Sequence, residues 1–297
     1  MERTMGNIFV LGATGHLGGQ AAKHLLERGV HPSDIIAVAR NLDKAEPLKD
    51  MGISVRRGDY DDPKFSYETF RGADKLLFVS SSSPDNTHRI KQHATVVEAA
   101  RDAGVKHIVY TGLAYPERST SGLENVHLAT ELAIRSSGIP YTIMRNAFYI
   151  DYQIISPDVE RAVRSGKYLA AAGGQKVNFA ARDNMAEAAA AVLTSDGHKN
   201  KTYEITYPRP YSYEDVAMAI SKVSGKPIEY RDVTPEGMRD YLASLGLTPE
   251  QIARDPSAFQ PAMATGWASG TSDALVDLIG RDRLITVESW IRSILGR

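Results

Sequence analysis

The sequence predicts an α/β protein in which a doubly wound parallel sheet is covered by helices on both faces. Three observations lead to this prediction. Short apolar runs alternate with helical segments through the first half of the 297-residue chain, which is the rhythm of βαβ units. A glycine-rich turn joins the first apolar run to the first helix. The alternation stops after residue 152, so we expect a small, mostly helical C-terminal part beside the sheet.

The first strand and the turn that follows it predict a binding site for a diphosphate. The apolar run at 8–11 is followed by Gly12, Gly15 and Gly18 at a three-residue spacing. Gly12 permits a tight turn, Gly15 lets backbone N–H groups approach the ligand, and Gly18 lets the next helix pack closely. That helix, predicted at 17–27, offers unpaired N–H groups and a positive dipole end. The spacing is therefore typical of dinucleotide binding in a Rossmann sheet.

The second predicted strand, at 34–39, ends at the residue that distinguishes the two nicotinamide cofactors. An Asp or Glu at this position would bind the ribose hydroxyls of NAD, but this chain has Arg40. The charge and planar donor fork of a guanidinium match the 2′-phosphate of NADP. A solvated arginine in a turn is the alternative, and the position favours NADPH over NADH.

The other elements follow in order along the chain. In the first half we predict helices at 42–49, 66–70, 85–103 and 124–136, and strands at 53–57, 74–79, 105–110 and 140–144. In the second half we predict helices at 159–165, 185–193, 213–224, 235–245, 249–254 and 287–295, and strands at 167–171, 176–180, 202–206 and 228–231.

These elements predict a chain of two parts. We expect an NADP-binding Rossmann domain over 1–152, completed by about 182–206. The smaller substrate-binding part is expected over 153–181 and 207–297. This part should pack over the carboxyl ends of the strands, where ligands of such sheets bind.

Composition excludes several classes of function. With 42% hydrophobic and 24% charged residues the chain is typical of a globular protein. A net charge of −1 indicates no basic face for nucleic acid, and no apolar run approaches the ~20 residues of a membrane span. The absence of Cys excludes disulfides and Cys-ligated zinc and fits a reducing cytosol. We expect a cytoplasmic protein with no metal, since its histidines are scattered over many elements.

Four segments, 12–18, 38–41, 57–60 and 141–146, resemble the NmrA-like atypical short-chain dehydrogenase/reductases. Within that family, the segments at 85–112 and 126–131 are similar to those of triphenylmethane reductases. Type 2 NAD(P)H:quinone oxidoreductases are the other similar group. The resemblance covers nearly the whole chain and weakens after about residue 230.

The resemblance implies a set of cofactor-binding residues at the carboxyl ends of the predicted strands. Those for the diphosphate and ribose are Gly12, Thr14, Gly15, His16 and Leu17, with Arg40 for the 2′-phosphate and Asp59 and Tyr60 beside the adenine. Those for the ribose and nicotinamide are Ser80, Ser81, Ser82, Thr111 and Gly112, with Asn146 and Ala147. For the serines, an ordinary polar loop is the alternative.

The absence of one catalytic motif restricts the reactions that the protein could catalyse. Standard short-chain dehydrogenases use Tyr-x-x-x-Lys, in which the Tyr donates a proton and the Lys lowers its pKa. The corresponding helix here carries His127 and Glu131. Two interpretations stay open. One is a reductase that passes a hydride from NADPH to a flat conjugated acceptor, a quinone or a triphenylmethane dye, without a dedicated proton donor. The other is an NADP(H)-sensing regulator without turnover.

The reductase interpretation suggests three candidate catalytic residues. Asn146 would orient the nicotinamide or a quinone oxygen. Tyr149, in an aromatic cluster with Phe148 and Tyr152, would receive a flat substrate, with core packing as the alternative for each ring. His127 would donate a proton or, alternatively, cap or support other groups. One dinucleotide site is expected, without a flavin, and a homodimer is compatible with the sequence.

Overall fold

The computed structural model describes residues 6–62 and 67–297. The first half alternates strands and helices as predicted. Its strands are β1 (Ile8–Leu11), β2 (Ile35–Ala39), β3 (Ser54–Arg57), β4 (Lys75–Val79), β5 (His107–Leu113) and β6 (Tyr141–Asn146). Its helices are α1 (His16–Glu27), α2 (Glu46–Asp50), α3 (Asn86–Asp102) and α4 (Leu123–Ser136).

The second half is richer in helices. Its strands are β7 (Phe148–Tyr149), β8 (Lys167–Ala170), β9 (Phe179–Ala180), β10 (Lys201–Ile205) and β11 (Glu229–Asp232). Its helices begin with α5 (Ile150–Gln153), α6 (Ser156–Ser165), α7 (Arg182–Thr194), α8 (Tyr213–Ser224) and α9 (Pro235–Ser244). They continue with α10 (Pro249–Arg254), α11 (Gln260–Met263), α12 (Ala274–Ile279) and α13 (Val287–Leu295).

Within the described ranges the central sheet has seven strands in the order β10-β6-β5-β4-β1-β2-β3, and every neighbouring pair is parallel. The chain winds outwards from β1 in both directions, so the connections reverse between β1 and β4. Ligands of such sheets bind in the crevice beyond the carboxyl ends of the strands at this reversal. The predicted doubly wound parallel sheet is confirmed.

Apolar side chains bury both faces of the sheet. On one face, α1 and the alanine-rich α7 share a core with β1 and β2, in which Leu25 and Val192 are fully buried. On the other face, Val96 of α3 and Ile134 of α4 pack with Phe78 of β4. The strands therefore read as continuous apolar runs because they are covered on both sides.

A further core lies in the second half of the chain, where α6, α8 and α13 pack around Val159, Ile220 and Ile291. Two short parallel pairs, β8 with β11 and β7 with β9, flank it. Helix α12 packs elsewhere, because Leu275 and Ile279 join the core of the sheet beside α1 and α7. The division of the chain into the two predicted parts stays a prediction.

Several elements differ from their predicted form. The helix predicted at 42–49 starts as a 3₁₀ turn at Asp43–Ala45 before α2. The one predicted at 66–70 is a 3₁₀ turn at Tyr67–Phe70, and Ser66 lies outside the described residues. The strand predicted at 176–180 is reduced to β9, and α12 was not predicted. Strands β5 and β6 run further than predicted because their last residues pair, Gly112 with Arg145 and Leu113 with Asn146.

Candidate cofactor and active site

The glycine turn after β1 has the backbone geometry that its sequence predicts. Gly12 has a φ of +62°, in the left-handed region, and its carbonyl oxygen accepts a hydrogen bond of 2.9 Å from the Gly15 N–H. A Cβ at Gly18 would lie 2.4 Å from that same oxygen, so only glycine fits there. Thr14, Gly15 and His16 are exposed, whereas Leu17 is buried in the core.

Helix α1 begins at this turn without neutralising its own N-terminus. Gly15 at the N-cap has no side chain that could accept a hydrogen bond from the helix, and the first turn holds no acidic residue. The first N–H groups and the positive end of the helix dipole therefore remain available to an anion. Since the Leu17 side chain is in the core, only the backbone of Leu17 can serve a ligand here.

The tips of β2 and β3 lie side by side. Arg40 is exposed directly after β2, and no carboxylate in residues 6–62 or 67–297 forms an ion pair with it. Tyr60 packs edge-on against Phe78, with ring centroids 6.3 Å apart. Burial raises the pKa of Tyr60, and the nearby charge of Arg40 acts against that rise. The Asp59 carboxylate accepts the Asp61 N–H at 3.2 Å, which holds the loop after β3.

The serines after β4 are fixed by the neighbouring elements. The Ser80 N–H donates to Thr111 Oγ1 at 3.3 Å. The Ser81 N–H donates to His93 Nε2 at 2.9 Å, and its hydroxyl donates to Gln92 Oε1 at 2.6 Å. Ser82 is exposed. The Ser81 side chain therefore holds the loop on α3, and Ser82 lies free on the surface of the crevice.

His93 is a structural acceptor that the sequence reasoning missed. The Thr130 hydroxyl donates to the Val126 carbonyl at 2.7 Å, so it must accept from His93 Nδ1, which lies 2.7 Å away. This leaves His93 Nε2 as the acceptor for Ser81. Burial and the charge of Arg89 lower the pKa of His93 to about 3. A histidine on the apolar face of α3, one turn before Val96 and Val97, is the signal that could have indicated this role.

The two residues at the positions of the missing Tyr-x-x-x-Lys motif both interact with other residues of the protein. His127 Nδ1 lies 2.8 Å from the Tyr110 hydroxyl, and burial, with the charge of Arg89, lowers the pKa of His127 to about 3. Glu131 accepts two hydrogen bonds from Arg145, at 2.8 and 2.9 Å. His127 is therefore neutral at physiological pH, and Glu131 belongs to an ion-pair network.

Asn146 at the end of β6 is the most unusual polar group of the site. Its side chain is 2% exposed, and neither its amide nitrogen nor its amide oxygen has a hydrogen-bond partner. Leaving a buried polar group unpaired costs about 1–3 kcal/mol, so such groups call for a ligand or another explanation. Asn146 lines a small depression together with Leu113, Phe148 and Trp267.

The predicted aromatic cluster is not a single cluster. Phe148 and Tyr149 are neighbours in β7 and therefore face opposite ways. Phe148 packs edge-on against Trp267, at 5.7 Å, whereas the guanidinium of Arg182 lies 5.5 Å over the Tyr149 ring. Tyr152 is exposed. Of the three, Tyr149 lies beside Asn146, which acts against the rise that burial causes in the pKa of Tyr149.

The described residues offer neither a metal site nor a membrane-spanning helix. Across 6–62 and 67–297, no three His, Asp or Glu side chains are grouped so that they could hold a metal ion. No helix in these ranges combines the length and apolar character that are needed to cross a membrane.

Comparison with known proteins decides the family. The model of the NmrA-like family matches residues 4–259. The chain belongs to the NmrA-like family. The resemblance inferred from the sequence is thereby confirmed.

Relatives of this NmrA-like protein include reductases. Quinone oxidoreductase 2 of Escherichia coli (strain K12) is 35% identical over 282 residues, 95% of this chain and 96% of that protein. The structure of Citrobacter sp. triphenylmethane reductase complexed with NADP(H) has 43% identity and a TM-score of 0.92, covering 97% of this chain and 99% of that chain. The Escherichia coli NADPH-dependent quinone oxidoreductase complexed with NADPH has 33% identity and a TM-score of 0.88, covering 97% and 99%.

The NmrA-like protein thus brings the sequence-predicted residues to one edge of its sheet. At the carboxyl edge, strands end at or are followed by the glycine turn, Arg40, the serine loop (residues 80–82), Thr111 and Asn146. The sequence reasoning missed Arg89, Gln92 and His93 of α3, and Tyr110 of β5. These four side chains support or line the site from α3 and β5.

Proposed function

We propose that this NmrA-like protein reduces a flat conjugated acceptor, a quinone or a triphenylmethane dye, by hydride transfer from NADPH. The oxidoreductase class and the cofactor NADPH are confirmed by the relatives, among which are structures with NADP(H) and NADPH bound. The nature of the acceptor is our proposal. The observation that carries it is the state of His127 and Glu131, which leaves the usual proton relay of carbonyl reductases without its two members.

The residues of the crevice fit NADPH. The unneutralised N-terminus of α1 and the left-handed Gly12 suit a diphosphate. Arg40, unpaired among the described residues, suits the 2′-phosphate. The unpartnered amide of Asn146 suits a carboxamide, which both donates and accepts, and its N–H suits a quinone oxygen, which accepts. We propose that these residues hold the cofactor and the acceptor edge.

The chemistry asked of the protein is mostly placement. Bound NADPH supplies a hydride from C4 of its nicotinamide ring. Asn146 would orient the reacting groups, and the serine loop, fixed by His93 and Gln92, would present a rigid wall to them. Apolar neighbours such as Leu113 and Phe148 would exclude water. Such preorganisation lowers the barrier without a charged acid, which suits an acceptor whose negative charge is delocalised.

The proposal is tested by following the loss of NADPH absorbance with purified protein, with and without a benzoquinone or a cationic triphenylmethane dye. We expect oxidation that depends on the acceptor and is faster with NADPH than with NADH. The Asn146→Leu variant, which keeps the volume but lacks the amide, should lower kcat/KM about tenfold or more. The Met218→Leu variant changes an exposed side chain of α8 and should behave as the parent.

The alternative, an NADP(H)-sensing regulator, makes a different prediction in the same experiment. Such a protein would bind NADP⁺ and NADPH tightly, but it would not oxidise NADPH with any of the acceptors. That result would contradict the reductase proposal while leaving the cofactor site intact. The homodimer and the cytoplasmic location stay predictions.

A further inference from the structure

Arg89 is a cation in an unfavourable place. It lies in the N-terminal part of α3 and is half-buried, where the positive end of the helix dipole disfavours a positive side chain. Its Nη2 donates to Ser80 Oγ at 2.7 Å. Its Nε is buried and has no hydrogen-bond partner. A donor that is left unpaired in this way is costly, so the site is expected to supply its partner from outside the chain.

No carboxylate in the described part of the chain neutralises this charge. Across residues 6–62 and 67–297, no Asp or Glu forms an ion pair with Arg89, and the groups on which its charge acts are Tyr110, Tyr149, His93 and His127. All four are neutral at physiological pH. Burial lowers the pKa of Arg89, yet an arginine stays charged in proteins. Among the described residues, the charge of Arg89 beside the serines after β4 is therefore uncompensated.

The unpartnered Nε and the unpartnered amide of Asn146 lie at the same edge of the sheet. Arg89 is anchored on Ser80, directly after β4, and Asn146 ends β6, which is separated from β4 by β5 alone. Ser80, which accepts from Arg89, itself donates to Thr111 of β5, and β5 lies on the side of β4 away from β1 and the glycine turn. Arg89 is thus directed to the acceptor side of the crevice and not to the diphosphate side.

The two acceptor classes change charge in opposite ways. A neutral quinone that gains a hydride becomes a hydroquinone monoanion, NADPH becomes NADP⁺, and a proton from water then completes the hydroquinone. A triphenylmethane dye begins as a cation and becomes neutral when it gains the hydride. An uncompensated guanidinium therefore stabilises the charge that forms on the quinone oxygen and repels the dye before it reacts.

We propose that Arg89, with Asn146, selects acceptors that become anionic on reduction, so that quinones are the preferred substrates and cationic dyes the poor ones. This inference rests on the proposed reductase function. Arg89 acts as a specificity-determining residue. Its Nε donates a hydrogen bond to the oxygen that is reduced, and its positive charge stabilises the negative charge that forms there. Asn146 donates its amide N–H to the same edge.

The test compares acceptors of three charges with the Arg89→Met variant: a neutral benzoquinone, a naphthoquinone sulfonate and a cationic triphenylmethane dye. We expect kcat/KM to fall roughly tenfold or more with the neutral quinone and further with the sulfonate. With the dye it should stay equal or rise. The dissociation constant for NADPH should stay within about twofold of that of the parent. Arg89→Lys should keep part of the preference, because it keeps the charge but not the donor fork.

Lys91→Met is the matched control, since it removes a positive charge from an exposed position of the same helix. It should leave the order of acceptors unchanged. An equal fall with all three acceptors would show that Arg89 only supports the fold of the loop, and would overturn the inference. Weaker NADPH binding with an unchanged order of acceptors would overturn it too, in favour of a phosphate contact. A parent protein that reduces none of the three would instead refute the reductase function itself.

Discussion

At the carboxyl end of β2 a single side chain sets the expected cofactor preference. Arg40 is exposed, and no described carboxylate pairs with it, so its charge is free for a phosphate. We predict that Arg40→Ala raises the KM for NADPH by about tenfold or more, because a hydrogen bond to a charged group contributes about 1.5–3 kcal/mol. The KM for NADH should change little. Steady-state kinetics with both cofactors measures the difference.

A second exposed arginine provides the control for this prediction. Arg28 ends α1, at the opposite edge of the sheet, and Arg28→Ala removes the same charge without touching the crevice. Both KM values should then match those of the parent. If Arg40→Ala weakened NADPH and NADH equally, the 2′-phosphate would not be the group that Arg40 binds.

The residues that sequence reasoning found and those that it missed differ in how they act. Gly12, Gly18 and Arg40 are read from position alone, because a fingerprint fixes where each must lie relative to a strand. Arg89 and His93 act through partners that are distant along the chain, namely Ser80, Ser81 and Thr130. Their roles depend on burial and on which nitrogen donates, and neither can be read from one sequence.

At the scale of elements, strands and helices were predicted correctly where glycines or capping residues bound a clear apolar pattern. The bounds of β1, α8, α10 and α13 match the prediction to the residue, since capping residues or glycines mark their ends. Helix α12 was missed because its six residues are too few to show a helical period and its N-cap makes no side-chain hydrogen bond. Helix α10 is equally short, but Thr248 and Pro249 mark its start. The ends of β5 and β6 were set too early, because the polar residues Thr111 and Asn146 read as loop but are paired within the sheet.

The contacts of helix α4 explain why a lysine of the Tyr-x-x-x-Lys motif does not fit at position 131. Glu131 is buried against Arg145, which also binds Glu117 and Glu204. We predict that Glu131→Lys, which restores the lysine of the standard motif, lowers the free energy of unfolding by about 3–5 kcal/mol, because it replaces the buried partner of Arg145 with a buried cation that faces it. Urea unfolding measures this difference.

The neighbouring residue on α4 separates the position from the substitution. Leu132 is 66% exposed, and Leu132→Lys introduces the same charge one residue further along the same helix. It should change the free energy of unfolding by less than about 0.5 kcal/mol. A Glu131→Lys protein as stable as the Leu132→Lys protein would show that the Arg145 network does not require a buried acid.

At the scale of the whole molecule, buried histidines determine how the fold responds to acid. Burial lowers the pKa of His93 and His127 to about 3 and that of His107 to about 4. In the unfolded chain each would titrate near 6.5. Below that pH the unfolded state binds more protons than the native state, so stability falls with pH from about 6.5 down to about 3. His24 acts oppositely, since its hydrogen bond to Asp183 raises its pKa.

His107 allows this response to be measured away from the site. It lies at the start of β5, and its Nε2 is 2.8 Å from Thr142 Oγ1; that hydroxyl donates to the His198 carbonyl, so His107 is the donor. His107→Gln keeps a donor but cannot titrate. The free energy of unfolding should fall less between pH 7 and pH 5 than in the parent, by about 2 kcal/mol, as measured by urea unfolding. The exposed His31 gives the control, and His31→Gln should keep the parental pH dependence. If His107→Gln and the parent lost the same stability over this range, protonation of buried histidines would not be what weakens the fold in acid.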